Sequence, residues 1–448
     1  MAGRRSVKQN HFGYLCIGYD KYICRGIFMP ESSLRSAQTD YSYTGKLQIN
    51  VTSTLGLIPI QGATVTISYT GVPDVTIERI NTDSSGQTEV IDLPAPPLAY
   101  SLEPVDQRPY SEYNIQVEAP GYEPVLVSGT EILPDVTAVQ PIQMIPQETA
   151  TEGEESIVIP DHTLYGEYPP KIPEDEIKPM NESGEIVLSR VVIPEYVIVH
   201  DGVPDDSSAP NYYVKYRDYI KNVVSSEIYA TWPENAIYAN TLAIMSFTLN
   251  RVYTEWYRSK GYDFTITSST AYDQKWMRGR NVYENIDQVV DSVFANFLSR
   301  PGVRQPILTA YCDGRRVTCD GLSQWGSKYL GEEGYSAIEI IRYYYGSDMY
   351  INTAERIAGV PSSWPGYDLT IGSTGDKVRQ MQTQLNRIAQ NYPAIPRIAV
   401  DGIYGPATAQ AVRTFQRIFD LPQTGIVDYP TWYSISNIYV GVSRIAEP

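Results

Sequence analysis

Between Gln147 and Glu185 the chain carries 11 acidic and 2 basic residues, about half of its net charge of −17, together with Tyr168-Pro-Pro170 and Pro173-Glu-Asp-Glu176. A stretch so charged and so poor in periodic apolar residues cannot bury enough surface to order itself. At 448 residues about three domains are expected. Residues 147–190 therefore read as an acidic, Pro- and Glu-rich linker, extended and open to proteases. The sequences on its two sides differ in period.

Before the linker, Lys46-Leu-Gln-Ile-Asn-Val-Thr52, Thr64-Val-Thr-Ile-Ser-Tyr69 and Glu112-Tyr-Asn-Ile-Gln-Val-Glu118 alternate polar and apolar residues. That is the period of half-buried strands, and Gly/Pro/Asp/Ser turns separate them. Short strands at this spacing predict an N-terminal antiparallel β-sandwich over 41–146, behind an extension over 1–40. Gly62-Ala-Thr-Val-Thr-Ile67, Thr82-Asp-Ser-Ser-Gly86 and Ala119-Pro-Gly-Tyr122 together resemble a carboxypeptidase-regulatory-type, transthyretin-like β domain. Nothing in it suggests chemistry, so a structural or inhibitory role is expected.

After the linker the period becomes helical. Tyr216, Tyr219, Ile220, Val223 and Val224 lie on one face, and Glu227 continues that series. A carboxylate on an apolar stripe is partly desolvated, which disfavours its charged form and suits it to general acid work. The plain alternative is a helix that ends at Glu227 and leaves it in solvent. Thr231-Trp-Pro-Glu234 then reads as a helix start, with Thr231 as cap and Pro233 in the first turn, opening a buried helix from Glu234 to about Arg258.

Asp218-Tyr-Ile-Lys-Asn-Val-Val-Ser-Ser-Glu227, Thr270-Ala-Tyr-Asp-Gln274 and Gly321-Leu-Ser-Gln-Trp-Gly326, followed by a helix to Tyr343-Tyr-Tyr345, resemble the SpoIID/LytB catalytic domain of sporulation lytic transglycosylases. The resemblance spans about residues 190–350 and implies a mixed α+β catalytic domain over 191–360. It implies Glu227 as catalytic acid/base. Asp273, Gln274, Ser323 and Gln324 are the polar candidates for holding sugar, with turn-stabilising roles equally open. Where members of that family carry a Gly-His-Gly stretch, and some place His and Cys on zinc, this chain reads Thr318-Cys-Asp-Gly321. Cys312 and Cys319 without histidine make a poor zinc site, and a local disulfide or two thiols fits better. With only His11, His162 and His200 in the chain, neither a Ser-His-Asp triad nor a multi-histidine metal site is expected, and no metal or cofactor is called for.

At the C-terminus, Leu369-Thr-Ile-Gly-Ser-Thr-Gly375 leads into a helix with Val378, Met381, Leu385 and Ile388 on one face. Asp401-Gly-Ile-Tyr-Gly405 makes a tight turn, and Thr408, Val412, Phe415 and Phe419 line a second helix before Gly425-Ile-Val-Asp and Thr431-Trp432. This series resembles the small three-helix peptidoglycan-binding domain of wall hydrolases, expected over 367–448. Gly375, Gln382, Asp401, Gly402, Tyr404 and Gly405 are the residues that carry the match.

The order of parts resembles the spore cortex-lytic enzymes of the SleC type. That resemblance implies a proenzyme activated in germination by a subtilisin-like protease, acting on the glycan strands of spore cortex and giving 1,6-anhydromuramyl ends. A hydrolytic muramidase and a non-catalytic spore-wall protein are the competing expectations. The acidic balance argues against nucleic acid as a partner, and no stretch approaches the ~20 apolar residues of a membrane span. Asp20, Lys21 and Arg25 interrupt any apolar core near the start, so a secretory signal is not expected, Met29 is an alternative start, and the cortex or spore wall is the expected location.

Overall fold

Alternation along the first third does produce strands. The computed structural model describes residues 43–55, 58–147, 155–178, 191–354, 356–358 and 365–443; the extension 1–40, with Cys16, Cys24 and Met29, lies outside them. In β1 (Tyr43–Ser53), Leu47, Ile49 and Val51 are fully buried while Gln48, Asn50 and Thr52 are half-buried. The chain continues through β2 (Thr64–Tyr69), β3 (Val72–Asn81), β4 (Ile91–Ala95), β5 (Ser111–Glu118), β6 (Val125–Ile132), β7 (Thr137–Met144) and β8 (Glu155–Val158). One sheet has the order β4-β1-β7 and the other β3-β2-β5-β6-β8. Leu47 and Ile49 from the first, and Val65, Ile67, Ile115 and Val117 from the second, belong to one buried cluster.

Both sheets reach past the expected boundary at 146. The first is completed by Val282–Tyr283, antiparallel to β7 with Val282 opposite Val139. The second is completed by β8, which pairs in parallel with β6. A buried ion pair locks this junction: Arg280 donates Nη2 to Glu131 Oε2 at 2.6 Å and to the Ser225 carbonyl at 2.7 Å. Burial pushes the Glu131 carboxyl up to about 7 even though Arg280 opposes the shift.

The central region is built on two helices, α1 (Tyr216–Glu227) and α2 (Glu234–Tyr253). Almost every residue of α2 from Ala236 to Arg251 is buried. Thr231 does not cap it: its hydroxyl donates to Ser101 Oγ at 2.8 Å, and Pro233 occupies the cap position with no side-chain bond. The helix stops at Tyr253, short of Arg258, and Glu255 follows in the left-handed region at φ 44°. Then come α3 (Glu284–Val293), α4 (Gln324–Glu332) and α5 (Ala337–Tyr345), the last held by a Ser336/Glu339 capping box. The C-terminal region contributes α6 (Asp376–Asn391), α7 (Pro406–Ile418) and α8 (Tyr429–Ser443). Val378, Met381, Leu385, Ile388, Val412 and Phe415 are buried as their spacing requires.

The acidic stretch departs most from expectation. Residues 155–178 do not run free; they form β8 and then a strap laid over the central region, with Ile159, His162, Thr163, Leu164, Tyr168 and Lys178 all buried. Composition was a sound guide to whether this segment could make its own core. It said nothing about a core supplied by a neighbour, and the neighbour here offers arginines to its carboxylates.

Candidate active site

Glu227 is the last residue of α1 and is fully buried. The helix ends there because Ile228 turns extended (φ −138°, ψ 161°), with its N–H still bonded to the Val224 carbonyl. Both sequence readings thus hold in part: the helix does stop at Glu227, yet the apolar face has already carried the carboxylate inside. Three donors from three separate segments meet it. The Lys275 N–H reaches Oε1 at 2.9 Å, the Tyr311 hydroxyl reaches Oε1 at 3.3 Å, and the Gln324 amide reaches Oε2 at 3.1 Å. All three are neutral, so the carboxylate is oriented without being clamped by a cation.

Gln324 opens α4, where Ser323 is the cap and accepts from the Gly326 N–H at 3.0 Å. Ser323 therefore serves the turn that aims Gln324. Asp273 is also fully buried, but its oxygens are filled by Arg251 Nε (2.6 Å), the Tyr257 hydroxyl (2.7 Å) and the Thr267 N–H and hydroxyl (2.9 and 2.7 Å). Gln274 is a cross-brace: its oxygen accepts from Tyr219 and Thr248, and its amide donates to the Ile244 carbonyl. Of the four expected sugar-binding residues, only Gln324 hydrogen-bonds Glu227, while Asp273 and Gln274 are buried and engaged in the protein's own network.

The strap crosses this site. The Thr163 N–H bonds the Ser226 carbonyl (3.3 Å), and His162 Nε2 lies 3.3 Å from the Ile228 carbonyl, bracketing Glu227 on either side in sequence. Tyr168 is buried nearby, and burial followed by the Glu227 charge pushes its phenol well up. Lys171 sits with Nζ 4.2 Å from the Tyr311 ring centroid and 2.7 Å from the Asp273 carbonyl oxygen. Burial lowers its ammonium below the usual lysine range, while Glu227 and Asp273 pull the other way. Sequence reasoning missed Tyr311, Tyr168 and Lys171. The one signal was that Lys171 is one of two cations in an otherwise acidic run.

Cys312 and Cys319 form a disulfide across the loop after Tyr311. Inside that loop Arg316 donates to the strap carbonyls of Thr163 (2.9 Å) and Gly166. Asp313 holds Arg316 at 2.8 Å, and although burial opposes it, this bond and the N–H groups of 315–317 keep its carboxyl below the usual range. With both cysteines spent on each other, and no cluster of three His, Cys, Asp or Glu suited to a metal among the described residues, the side chains here do not fit the zinc that the resemblance raised.

In the C-terminal region the six matched residues build a turn. Gln382 is buried; its amide donates to Asp401 Oδ1 (2.9 Å) and the Ile403 carbonyl (3.0 Å), and its oxygen accepts the Gly402 N–H (2.8 Å). The Gly375 N–H bonds the Gly402 carbonyl (2.9 Å), and the Tyr404 hydroxyl bonds the Gly425 carbonyl (2.9 Å). Gly375 (φ 113°) and Gly402 (φ 76°) need the left-handed region that glycine tolerates. Gly405 caps α7. Gln416, which the sequence did not single out, repeats the Gln382 role on the Gly425 N–H and Ile426 carbonyl.

Two families match parts of this chain. Residues 208–298 match the Stage II sporulation protein family, SpoIID, and residues 374–435 match the PG_binding_1 family of peptidoglycan binding domains. The chain therefore carries a SpoIID domain and a peptidoglycan-binding domain. A curated relative, the zinc D-Ala-D-Ala carboxypeptidase of Streptomyces albus G, is 40% identical over 74 residues, 16% of this chain and 27% of that protein. The chain thus spans about a quarter of that relative's length. Among solved structures, the Bacillus anthracis TIE protein (TM-score 0.17, 16% identity, 23% of this chain and 17% of that one) and the minor pilin GBS52 of Streptococcus agalactiae (TM-score 0.17, 16% identity, 25% and 48%) are partial likenesses that carry no fold assignment. No helix among the described residues is long and apolar enough to cross a membrane.

Proposed function

We propose that this chain is a peptidoglycan lytic transglycosylase of the SleC type, made as a proenzyme and directed at spore cortex. The observation that carries the reading is Glu227: one buried carboxylate, aimed by three neutral donors, with no second carboxylate among its hydrogen-bond partners in the described residues. Glu227 gives its proton to the glycosidic oxygen as the MurNAc–GlcNAc bond breaks. It then takes the proton of the muramic C6 hydroxyl, whose oxygen closes on C1 to leave a 1,6-anhydro end. No water is consumed, so the second acid or base of a glycoside hydrolase is not needed. Asp273 and Asp313, the acids of the neighbouring segments, are already tied to Arg251 and Arg316. The peptidoglycan-binding domain keeps the enzyme on its insoluble substrate.

The proenzyme reading is supported by the strap's course over Glu227. To clear the site the strap must be severed from the central region, so the activating cut belongs C-terminal to Lys178, within 179–190. A cut within 148–154 leaves the strap attached and the protein inactive. Mass spectrometry of digested cortex fragments tests the chemistry: anhydromuramyl ends support it, and reducing ends alone or intact strands overturn it. Equal turnover by intact chain and by chain cut within 179–190 overturns the proenzyme.

A further inference from the structure

Beyond covering Glu227, the strap fills two guanidinium forks with carboxylates. Arg251 is fully buried. Its Nη1 donates to Glu174 Oε2 at 2.9 Å and its Nη2 to Glu174 Oε1 at 2.5 Å, while Nε is committed to Asp273. Arg300 grips Glu176 in the same two-point way, with Nε to Oε1 at 2.5 Å and Nη2 to Oε2 at 2.8 Å. Both arginines belong to the central region and both carboxylates to the strap.

A short chain of contacts joins the Arg251 fork to the catalytic candidate. Tyr311 bonds Glu227, the Phe247 ring lies 6.4 Å from the Tyr311 ring, and the Arg251 guanidinium lies 4.9 Å from the Phe247 centroid. Lys171 of the strap spans the same step, over both rings. Once the strap leaves, Nε of Arg251 stays on Asp273 and Nη2 keeps the Tyr272 carbonyl at 3.1 Å. The two outward donors lose their acceptors. Their planar fork, held in place from behind by Asp273 and the Tyr272 carbonyl, matches a carboxylate better than any neutral group.

We infer that the Arg251 fork is a carboxylate-binding subsite of the opened groove, and that Glu174 occupies it in the intact chain as an internal stand-in for substrate. The inference rests on the proposed reading that a glycan strand takes the strap's path. The ligand class is a carboxylate carried on that strand, borne either by the lactyl ether of muramic acid or by its stem peptide.

The test uses full chain activated by limited proteolysis and three strand preparations: stems intact, stems removed with lactyl carboxylates free, and all carboxylates capped as methylamides. Capping should raise KM about tenfold or more, the scale of losing a charge-assisted bond. Because an intact stem ties up the lactyl carboxyl as an amide, a low KM for stem-free strands alone makes the lactyl carboxylate the ligand, and a low KM for stem-bearing strands alone makes the stem carboxylate the ligand. Arg251→Lys keeps the charge without the fork and should shrink the penalty of capping. Should that variant fail to fold, a peptide of residues 162–178 should inhibit the wild-type enzyme about tenfold better than its Glu174→Gln version. Equal KM on capped and uncapped strands overturns the inference while leaving the transglycosylase reading intact. Absence of anhydro ends from every preparation overturns that reading instead.

Discussion

Glu227 and Asp273 are both fully buried carboxylates in the central region, and they are held in opposite ways. Asp273 is bound by an arginine, a tyrosine, a threonine and a backbone N–H, in a network that continues through Arg251 to Glu174 and Lys178. Glu227 has only neutral donors, and Lys171 of the strap bonds the nearby Asp273 carbonyl. A buried charge neutralised by a fixed cation is a structural device, since breaking it strands the partner. A buried carboxylate without a fixed cation remains free to exchange a proton with a substrate. Burial does not separate the two roles; the identity of the partners does.

The largest effect that would break this contrast is at Glu227. Glu227→Gln keeps shape but neither gives nor takes a proton as an acid or base, and each such role is typically worth ~10²–10⁴-fold. Well-folded, cut Glu227→Gln should release no anhydromuramyl ends above background. Retention of more than about a tenth of the wild-type rate would sink the assignment.

Next comes Asp273→Asn, which leaves Arg251 with one carboxylate fewer in a buried network. The expected loss is about 3 kcal/mol of stability, read as a lower urea midpoint. A wild-type midpoint combined with weakened glycan binding would instead make Asp273 a ligand-binding residue. A smaller effect is expected in the C-terminal turn, where Gln382→Leu leaves the Gly402 N–H and the Ile403 carbonyl without their partner. That should cost about 1–3 kcal/mol, seen in thermal unfolding, and Gln416→Leu should cost a similar amount. If Gln382→Leu unfolds like wild type yet fails to sediment with peptidoglycan, the residue touches ligand.

The smallest expected effect concerns a third kind of carboxylate, half-buried and crowded by its own sign. Asp420, just after α7, faces Asp287, Glu284 and Asp291 from α3, with Lys221 of α1 as the opposing cation. Burial, then Asp287 and Glu284, push its carboxyl up to about 8, and Asp287 is pushed up to about 6 by burial. A carboxyl whose packed pKa lies above its free value binds its proton more tightly when packed. The approach of Asp420 to the acids of α3 is therefore most favourable at low pH and becomes less so as pH rises toward about 8. Small-angle scattering at pH 5 and pH 9 should show expansion at the higher pH, and Asp420→Asn should remove the difference. Equal profiles for both proteins would refute the titration.

Particular residues show how far the sequence could be read. The Tyr216–Val224 face and the alternation in β1 predicted their elements because helix and strand periods are local properties. Thr231 misled because capping depends on where a hydroxyl finds its partner, and Ser101 lay 130 residues away. Asp273 and Gln274 looked like ligand residues because a polar side chain in a loop carries no mark of the partners that will consume it. The acidic stretch misled most, since its arginine partners at 251, 300 and 316 are far along the chain.

By itself the sequence determined the division between an alternating and a helical half and the apolar face that Glu227 continues, all consequences of spacing along a few turns of backbone. Only the tertiary structure decided which buried acid is clamped and which is free, that Tyr311 and Gln324 aim the free one, and that residues 155–178 lie across it. Those outcomes depend on the partners each charge meets inside the protein. Burial multiplies the strength of such meetings, and one-dimensional spacing does not record them.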